Sequence, residues 1–543
     1  MSKNADAIRN KPPTDPVLMM IGTDIVAVLL SATLLSLPIE DGRFWPVAFV
    51  ALVPMLLRMW TRSYRAVFFL AFSTFWLYLF YSLQWVNAYG RHWTFLLAFM
   101  NAVGYGLAFL IGFYILRRYR SHFFATVPAG ILVLLEYQQS IGFTALPWPL
   151  LCHSQSQNLP LIQIAAVTGC WGVTFLIVHV NEALAHLIAG SFKAKILPLA
   201  ILPVILVGAA GLYGALSLAR SLPKADIQAT LVQWNEPTNV QWGESFRMRS
   251  IEAYSKLTVD KLTSERASAQ SEDTQRLVIW PETAVPDAAI NPPTMSTILQ
   301  LARAFDATFL VGCLTFSPAD GKPLDLNKAF SWGNDPKEYN SLVAFNPDNT
   351  VIPVYSKIHL VPFGEVIPMK KYVTSWFPAY PWGDSDITQG SGFYVAETPV
   401  GKIGAVICYE SFIPQIPRNL VRNGAEILVL VSNTSWFGET NASYQHARFD
   451  AYRAVENGIW FCRAATTGVS SVIDPQGRTI EQTEIFVSDA ITVPVGKRVG
   501  MTLYTRWGDW VPALCGIYVL LLLLGVFLIR EEGNTSAAEH SSS

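Results

Sequence analysis

Gly401-Lys402-Ile403-Gly404-Ala405-Val406-Ile407-Cys408-Tyr409-Glu410-Ser411 decides the reading of this chain. Small and branched apolar residues run into a cysteine and then at once into polar residues, the pattern of a buried strand that ends at Cys408. A strand end suits a nucleophile, because the strand fixes the sulfur while the following turn leaves backbone N–H groups to face a developing oxyanion. A lone cysteine is also an ordinary small core residue. Two further strand ends upstream separate these readings.

The first is Leu277-Val278-Ile279-Trp280-Pro281-Glu282, in which Pro281 stops ladder pairing just before a carboxylate. The second is Tyr355-Ser356-Lys357-Ile358-His359-Leu360-Val361-Pro362-Phe363-Gly364-Glu365, which places an amine after a strand. A free thiol is mostly protonated at neutral pH, so a nucleophilic Cys408 needs a base, and Glu282 is the candidate. Attack on an acyl carbonyl builds negative charge on oxygen, for which Lys357 and a backbone N–H near Tyr409 are the candidate stabilisers.

Around these ends, strands and helices alternate. Strands are expected at Ile227–Gln233, Arg276–Trp280, Thr308–Phe316 and Glu426–Ser432, and helices at Glu244–Ala269, Thr294–Phe305, Gln415–Asn423 and Tyr444–Glu456. One hairpin is expected at Leu342–Phe345 and Val351–Tyr355, and another at Ile459–Ala464 and Val469–Ile473 with its turn at Asp474-Pro475-Gln476-Gly477. The pattern implies an α/β layered domain with a mixed sheet.

The remainder is of different composition. Apolar and cysteine residues make up 51% of the 543, charged residues 15%, and the net charge is −1, which excludes a disordered chain and a nucleic-acid-binding one. Apolar runs at roughly 17–38, 44–61, 66–87, 93–116, 122–141, 160–189 and 196–219 precede the α/β region, and one at about 510–529 follows it. Most reach the ~20 residues that a membrane-spanning helix needs, the 44–61 and 122–141 runs being the weakest. The expected organisation is therefore a transmembrane domain over 1–220 with seven helices, a catalytic domain over 221–505, a transmembrane helix over 506–530 and a polar tail over 531–543. Basic residues cluster at Lys3, Arg9 and Lys11, at Arg58, Arg62 and Arg65, at Arg117, Arg118 and Arg120, at Lys193 and Lys195, and at Arg530. With those loops cytoplasmic, both termini lie inside and the α/β domain outside. In a bacterium that is the periplasmic side of the inner membrane. No cleavable signal peptide is needed. The six cysteines stand singly without metal-ligand spacing, so no metal and no cofactor is implied.

The W-P-E-T, Y-S-K with H-L-V-P-F-G-E, and I-C-Y-E stretches resemble the Glu-Lys-Cys motifs of the nitrilase superfamily, and in these forms its membrane-embedded branch, the apolipoprotein N-acyltransferases. The resemblance extends to Val232-Gln233-Trp234-Asn235, to Asn433-Thr434-Ser435-Trp436-Phe437-Gly438 and to the apolar runs, and so covers nearly the whole chain. It implies an αββα sandwich beside about eight membrane spans. It implies that Cys408 takes the sn-1 acyl chain of a phospholipid, typically phosphatidylethanolamine, as a thioester, and passes it to the α-amino group of a diacylglyceryl-modified N-terminal cysteine on an apolipoprotein. By the same resemblance Glu282 is the base, Lys357 the oxyanion-stabilising amine and Cys408 the nucleophile, with Glu365, Tyr409 and Glu410 around the site and Trp242 contacting substrate. The family often reads N-D-A-W-F-G where this chain has Asn433-Thr434-Ser435-Trp436-Phe437-Gly438, and has Asn near Thr467, departures that bear on lipid or acceptor preference.

Single residues keep two readings. Glu365 orients Lys357 or caps structure. Glu410 holds the site together through a buried pair with a basic residue. Tyr409 packs. Trp436 and Phe437 line an acyl channel, and Asn433 sits beside them. The aromatic stretch Val366–Asp384 is a lid dipping toward lipid, or packs on the neck of the membrane domain. His359 and His446 are structural. A monomer is expected. The alternatives are a membrane-tethered amidase with water as acceptor, and a transporter or scaffold carrying a dead domain, against which stands the scarcity of charge in the spans, Glu136 and Glu182 being the few acids.

Overall fold

A computed structural model describes residues 16–119, 126–189, 197–236, 243–268, 274–317, 319–322, 337–362 and 387–541, with 364–367, 369, 370, 372 and 375 between the last two. The chain divides into two compact units.

One unit comprises residues 136–173 and 208–513 and holds all twelve described strands. The first sheet has the order β12 (Asp489–Gly496), β1 (Ala225–Gln233), β2 (Gln275–Trp280), β3 (Ala307–Thr315), β4 (Tyr339–Phe345), β5 (Val351–Ser356), and the second β11 (Thr479–Gln482), β10 (Ser471–Ile473), β9 (Phe461–Ala465), β8 (Ile427–Ser432), β7 (Gly401–Ile407), β6 (Val395–Thr398). In the first, β1, β2 and β3 run parallel, linked by helices Glu244–Ser268 and Pro292–Phe305. In the second, β7, β8 and β9 do the same with helices Gln415–Arg422 and Ala442–Asn457. Antiparallel strands flank each parallel core: β4, β5 and β12 in the first, and β6, β10 and β11 in the second.

Burial on both faces explains why the parallel strands read as unbroken apolar runs. Along β2, Leu277 and Ile279 join the core between the sheets, with Ala405, Ile407 and Val429 opposite, whereas Leu428 and Leu430 turn to the covering helices. Val278 and Trp280 face the other way, into a core shared with Tyr254, Ile298 and Phe305 of the covering helices. The result is a helix–sheet–sheet–helix sandwich in which the ends of β1, β2, β7 and β8 all carry polar residues.

Expected elements agree to within a few residues, with two corrections. The Asp474-Pro475-Gln476-Gly477 turn joins β10 to β11, whereas β9 and β10 pair across 466–470. Strands β6, β11 and β12 were not expected.

The other unit comprises residues 1–135, 174–207 and 514–543. Helices Pro16–Glu40, Tyr64–Ser82 and Arg91–Tyr119 form its centre, where Phe75 stacks on Tyr105 at 3.9 Å and Asp24 pairs with Arg58 at 2.7 Å and Arg62 at 3.0 Å. Asn181 accepts the Leu52 N–H and donates to the Ala48 carbonyl. Among the described residues six helical stretches are long and apolar enough to cross a membrane: 19–40, 42–59, 64–82, 91–119, 170–188 and 201–218. The 160–189 run is not one helix. Two short helices, Leu159–Ile162 and Ala165–Thr168, precede a break at Gly169, whose φ of 66° a helix cannot hold, and Cys170–Ile188 follows. Helix Val127–Gln139 has 13 residues, and its Glu136 accepts the Leu151 N–H at 2.6 Å. The last apolar stretch is Trp510–Val526.

Candidate active site

Cys408 follows β7 directly. Its φ of 55° lies in the left-handed region, uncommon for a residue with a side chain, and a 3-10 turn over Cys408–Phe412 begins there. The first N–H groups of such a turn have no acceptor within it. Glu410 pins the turn: its Oε2 accepts the Ile407 N–H at 2.9 Å, and its Oε1 accepts the Tyr355 hydroxyl at 2.9 Å and the N–H groups of Ile358 and His359 at 2.7 and 2.8 Å. One buried carboxyl thus ties the end of β7 to the segment after Lys357. The expected pairing of Glu410 with a basic residue is replaced by these backbone bonds. Burial, opposed by those bonds and by Lys357, pushes its pKa up to about 7.

Lys357 follows β5, its N–H bonded to the Asn340 carbonyl at 2.8 Å. Its Nζ lies 2.8 Å from Glu365 Oε1 and 3.4 Å from Glu282 Oε1. Burial alone would favour the neutral amine, but Glu365, Glu282 and Cys408 raise its pKa well above the ordinary value, so it is an ammonium. Glu365 also accepts the Val361 N–H at 2.9 Å, so it both holds Lys357 and closes its own turn.

Glu282 follows β2. Asn340 Nδ2 donates to its Oε1 at 2.7 Å, and the Asn433 N–H, at the end of β8, donates to its Oε2 at 2.6 Å. The backbone there is held close to β3: a Cβ at Gly312 would collide with the Pro281 carbonyl and the Glu282 Cα. Cys408 retains some exposed surface, but its thiol is enclosed, and burial together with the Glu282 charge pushes its pKa up to about 12, with Lys357 and the Ser432 hydroxyl acting the other way. The three strand ends are therefore within electrostatic reach of one another.

The remaining expected residues are placed unequally. Tyr409 is buried, its ring against Phe412 and its hydroxyl donating to the Ala145 carbonyl at 3.2 Å. Asn433 Oδ1 accepts from Ser435 and Thr466, which fixes the loop whose N–H meets Glu282. Trp436 is 57% exposed, while Phe437 is buried edge-on to Trp148, so the two do not line one channel together. Trp242 lies outside the described residues, as do Trp376, Phe377, Tyr380 and Trp382 of the aromatic stretch; its Met369 and Tyr372 are exposed. His446 bonds Ser411 at 2.9 Å. His359 donates its N–H to Glu410, and burial and Lys357 lower its ring pKa to about 4. A cavity of about 540 Å³ borders Ile358 and His359, with Ile141, Phe143, Ile413 and Ile416 in its wall.

Asn340 was not anticipated. It bridges Glu282 and Glu365, the latter at 3.4 Å. The only signal is an amide in a strand, where asparagine is depleted.

A thiol on a strained strand end beside a buried carboxylate and ammonium, in a two-sheet sandwich, is the arrangement of a nitrilase-type enzyme, and residues 225–496 match the carbon-nitrogen hydrolase family model. Residues 31–183 match the model for the apolipoprotein N-acyltransferase N-terminal domain. Apolipoprotein N-acyltransferases from Geobacter metallireducens and Gloeobacter violaceus are 31% and 30% identical, over 90% and 92% of this chain and 92% and 94% of theirs. The chain belongs to the apolipoprotein N-acyltransferase family. Among solved structures, Saccharomyces cerevisiae Nit3, of the nitrilase superfamily, aligns with 51% of this chain and 93% of its own at 20% identity and a TM-score of 0.34.

Proposed function

We propose that the protein moves the sn-1 acyl chain of a membrane phospholipid, phosphatidylethanolamine foremost, onto Cys408 and then onto the α-amino group of an N-terminal diacylglyceryl-cysteine on an apolipoprotein. The observation that carries this reading is the enclosed thiol with Glu282 and Lys357 both acting on it. In the first step Glu282 takes the thiol proton, sulfur bonds to the ester carbonyl carbon, and the oxyanion faces the Lys357 ammonium and the turn N–H groups after Cys408. The ester C–O bond then breaks, Glu282 returns the proton to the departing lysophospholipid, and a thioester remains. In the second step the acceptor amine attacks that thioester and the thiol is regenerated.

Both reactants are held in lipid by about 0.8 kcal/mol per buried methylene, which gives the long apolar helices their purpose. The apolar wall of the cavity beside Ile358 suits a hydrocarbon chain. The clustering of Lys and Arg in alternate loops supports an orientation with both termini cytoplasmic and the α/β domain on the other side, the periplasmic side of the inner membrane in a bacterium.

Incubation with acyl-labelled phospholipid and no acceptor is expected to leave a hydroxylamine-sensitive label on the wild-type protein and none on Cys408→Ala, and a diacylated lipopeptide should discharge it as an amide. Equal label on Cys408→Ala would overturn the nucleophile. Discharge only as free fatty acid would make the enzyme a hydrolase.

A further inference from the structure

Glu236 stands three residues beyond β1, beside the site but outside the Glu282, Lys357 and Cys408 set. β1 and β2 are parallel neighbours in the register Leu231 with Ile279, so the chain after β1 leaves the sheet at the same edge as Glu282. The path is fixed. Asn235 has a φ of 58° and donates its N–H to the Thr466 carbonyl at 3.0 Å, and Ser488 bonds the Trp234 carbonyl at 2.6 Å. Glu236 is only 7% exposed, yet its Oε2, shut off from solvent, has no hydrogen-bond partner among the described residues. Among the described residues no Lys, Arg or His pairs with it.

A buried carboxyl oxygen without a partner is costly, and such atoms in native proteins call for a reason. Two ionisable groups face Glu236, and neither is a cation: the Glu282 carboxylate, and Tyr254, whose hydroxyl is itself buried without a partner. Among the described residues the site therefore has an acid without a counter-charge. Resting on the acyl transfer proposed above, we infer that Glu236 is the group that binds a primary ammonium in this site and takes its proton.

The chemistry requires such a group. The acceptor's α-amino group, with an ordinary pKa near 7.7–8.0, arrives mostly as an ammonium and cannot attack until it loses a proton. Burial and the charge on Glu282 push Glu236 up to about 7, close to the amine it would deprotonate. One ammonium proton passes to Glu236 Oε2. The freed nitrogen pair bonds to the thioester carbonyl carbon, and the C–S bond breaks. A second nitrogen proton passes through Glu282 to the Cys408 sulfur, the third stays on the amide, and Glu236 releases its proton to water. An ethanolamine headgroup carries the same primary ammonium, so donor and acceptor are both possible sources. The coupling of Glu236 to the base that meets the reacting carbon favours the attacking amine.

The test separates the half-reactions in Glu236→Gln and Glu236→Asp. Each protein is loaded from phosphatidylethanolamine or phosphatidylglycerol, and the acyl-enzyme is discharged with a diacylated lipopeptide between pH 6.5 and 8.5. For Glu236→Gln the ratio of discharge to loading is expected to fall about tenfold or more at pH 6.5 and to recover toward pH 8.5, where the amine is free unaided, and Glu236→Asp should restore part of it. Slower loading from phosphatidylethanolamine but not phosphatidylglycerol, with discharge as in wild type, would assign the ammonium to the headgroup. Wild-type ratios at every pH with both donors, or a loss equal in both half-reactions and independent of pH, would overturn the role of Glu236 alone. Failure of the wild-type protein to load or discharge would overturn the transfer itself.

Discussion

At Cys408 two demands oppose each other. Enclosing the sulfur would protect the proposed thioester from water, but enclosure beside Glu282 also pushes the thiol up to about 12, so the proposed nucleophile rests as a thiol and not a thiolate. Activation must come from proton transfer at the moment of attack. Alkylation by a small neutral reagent should therefore be roughly a hundredfold or more slower at pH 7 than for a free thiol, and should climb about tenfold per pH unit without levelling below pH 10. A plateau near pH 8 would mean that the thiolate is stabilised at rest and that Glu282 is not needed as a base. The places of Glu282, Lys357 and Cys408 at strand ends were legible in the sequence because each follows an apolar strand with a charge or a thiol. Asn340 and Glu236 were not: what sets them apart is what they face across the sheet edge, and the one local trace is the amide within a strand at Asn340. Glu410 was singled out, but with the wrong partner, since bonds to backbone N–H groups leave no trace in side-chain composition.

At the scale of elements, the site is built by strand ends that need close approach more than any one contact. Gly312 on β3 is the clearest case: its missing Cβ is the space in which Pro281 and Glu282 sit. Gly312→Ala has no flexible side chain to displace, only backbone, and must push Glu282 away from its place. A shift on the order of 1 Å costs about 100-fold in rate, so loading of Cys408 from phospholipid should drop by that order while the protein still reaches the membrane. Near wild-type loading would show that Glu282 tolerates displacement. Runs such as Leu277–Trp280 declared themselves as strands through continuous apolarity, whereas β11, exposed along its whole length, and the edge strand β12 carry no such signal. The break at Gly169 was hidden for a related reason, because hydropathy averages over a turn that a single φ angle enforces.

Across the whole α/β unit, buried acids and histidines set how stability depends on pH. Glu236, Glu410 and Glu456 are each raised to about 7, chiefly by burial, from an unfolded value near 4.5. Between those values the folded state holds more protons than the unfolded one, so each acid makes stability fall as pH rises. His359, lowered to about 4, and His153 and His446, lowered well below 6.5 by burial, act in the opposite sense, because there the unfolded state holds the extra protons. Below pH 6.5 the two sets largely cancel. Above it the histidines are neutral in both states and only the acids remain, and beyond pH 8 the thiols of Cys313, Cys408 and Cys462, all raised to about 12 by burial, extend the same trend. Each group contributes at most ~1.4 kcal/mol per pH unit. The thermal midpoint of the detergent-solubilised protein should accordingly be nearly level from pH 5 to 6.5 and decline by several degrees from pH 6.5 to 9. Glu410→Gln separates this cause from general alkaline damage. It gives up acceptor capacity that four bonds use, and so lowers the midpoint at pH 5.5, yet its decline above pH 6.5 should be shallower than that of the wild type. A midpoint that rises through neutral pH would mean that these acids are ionised in the fold, with counter-charges supplied from elsewhere.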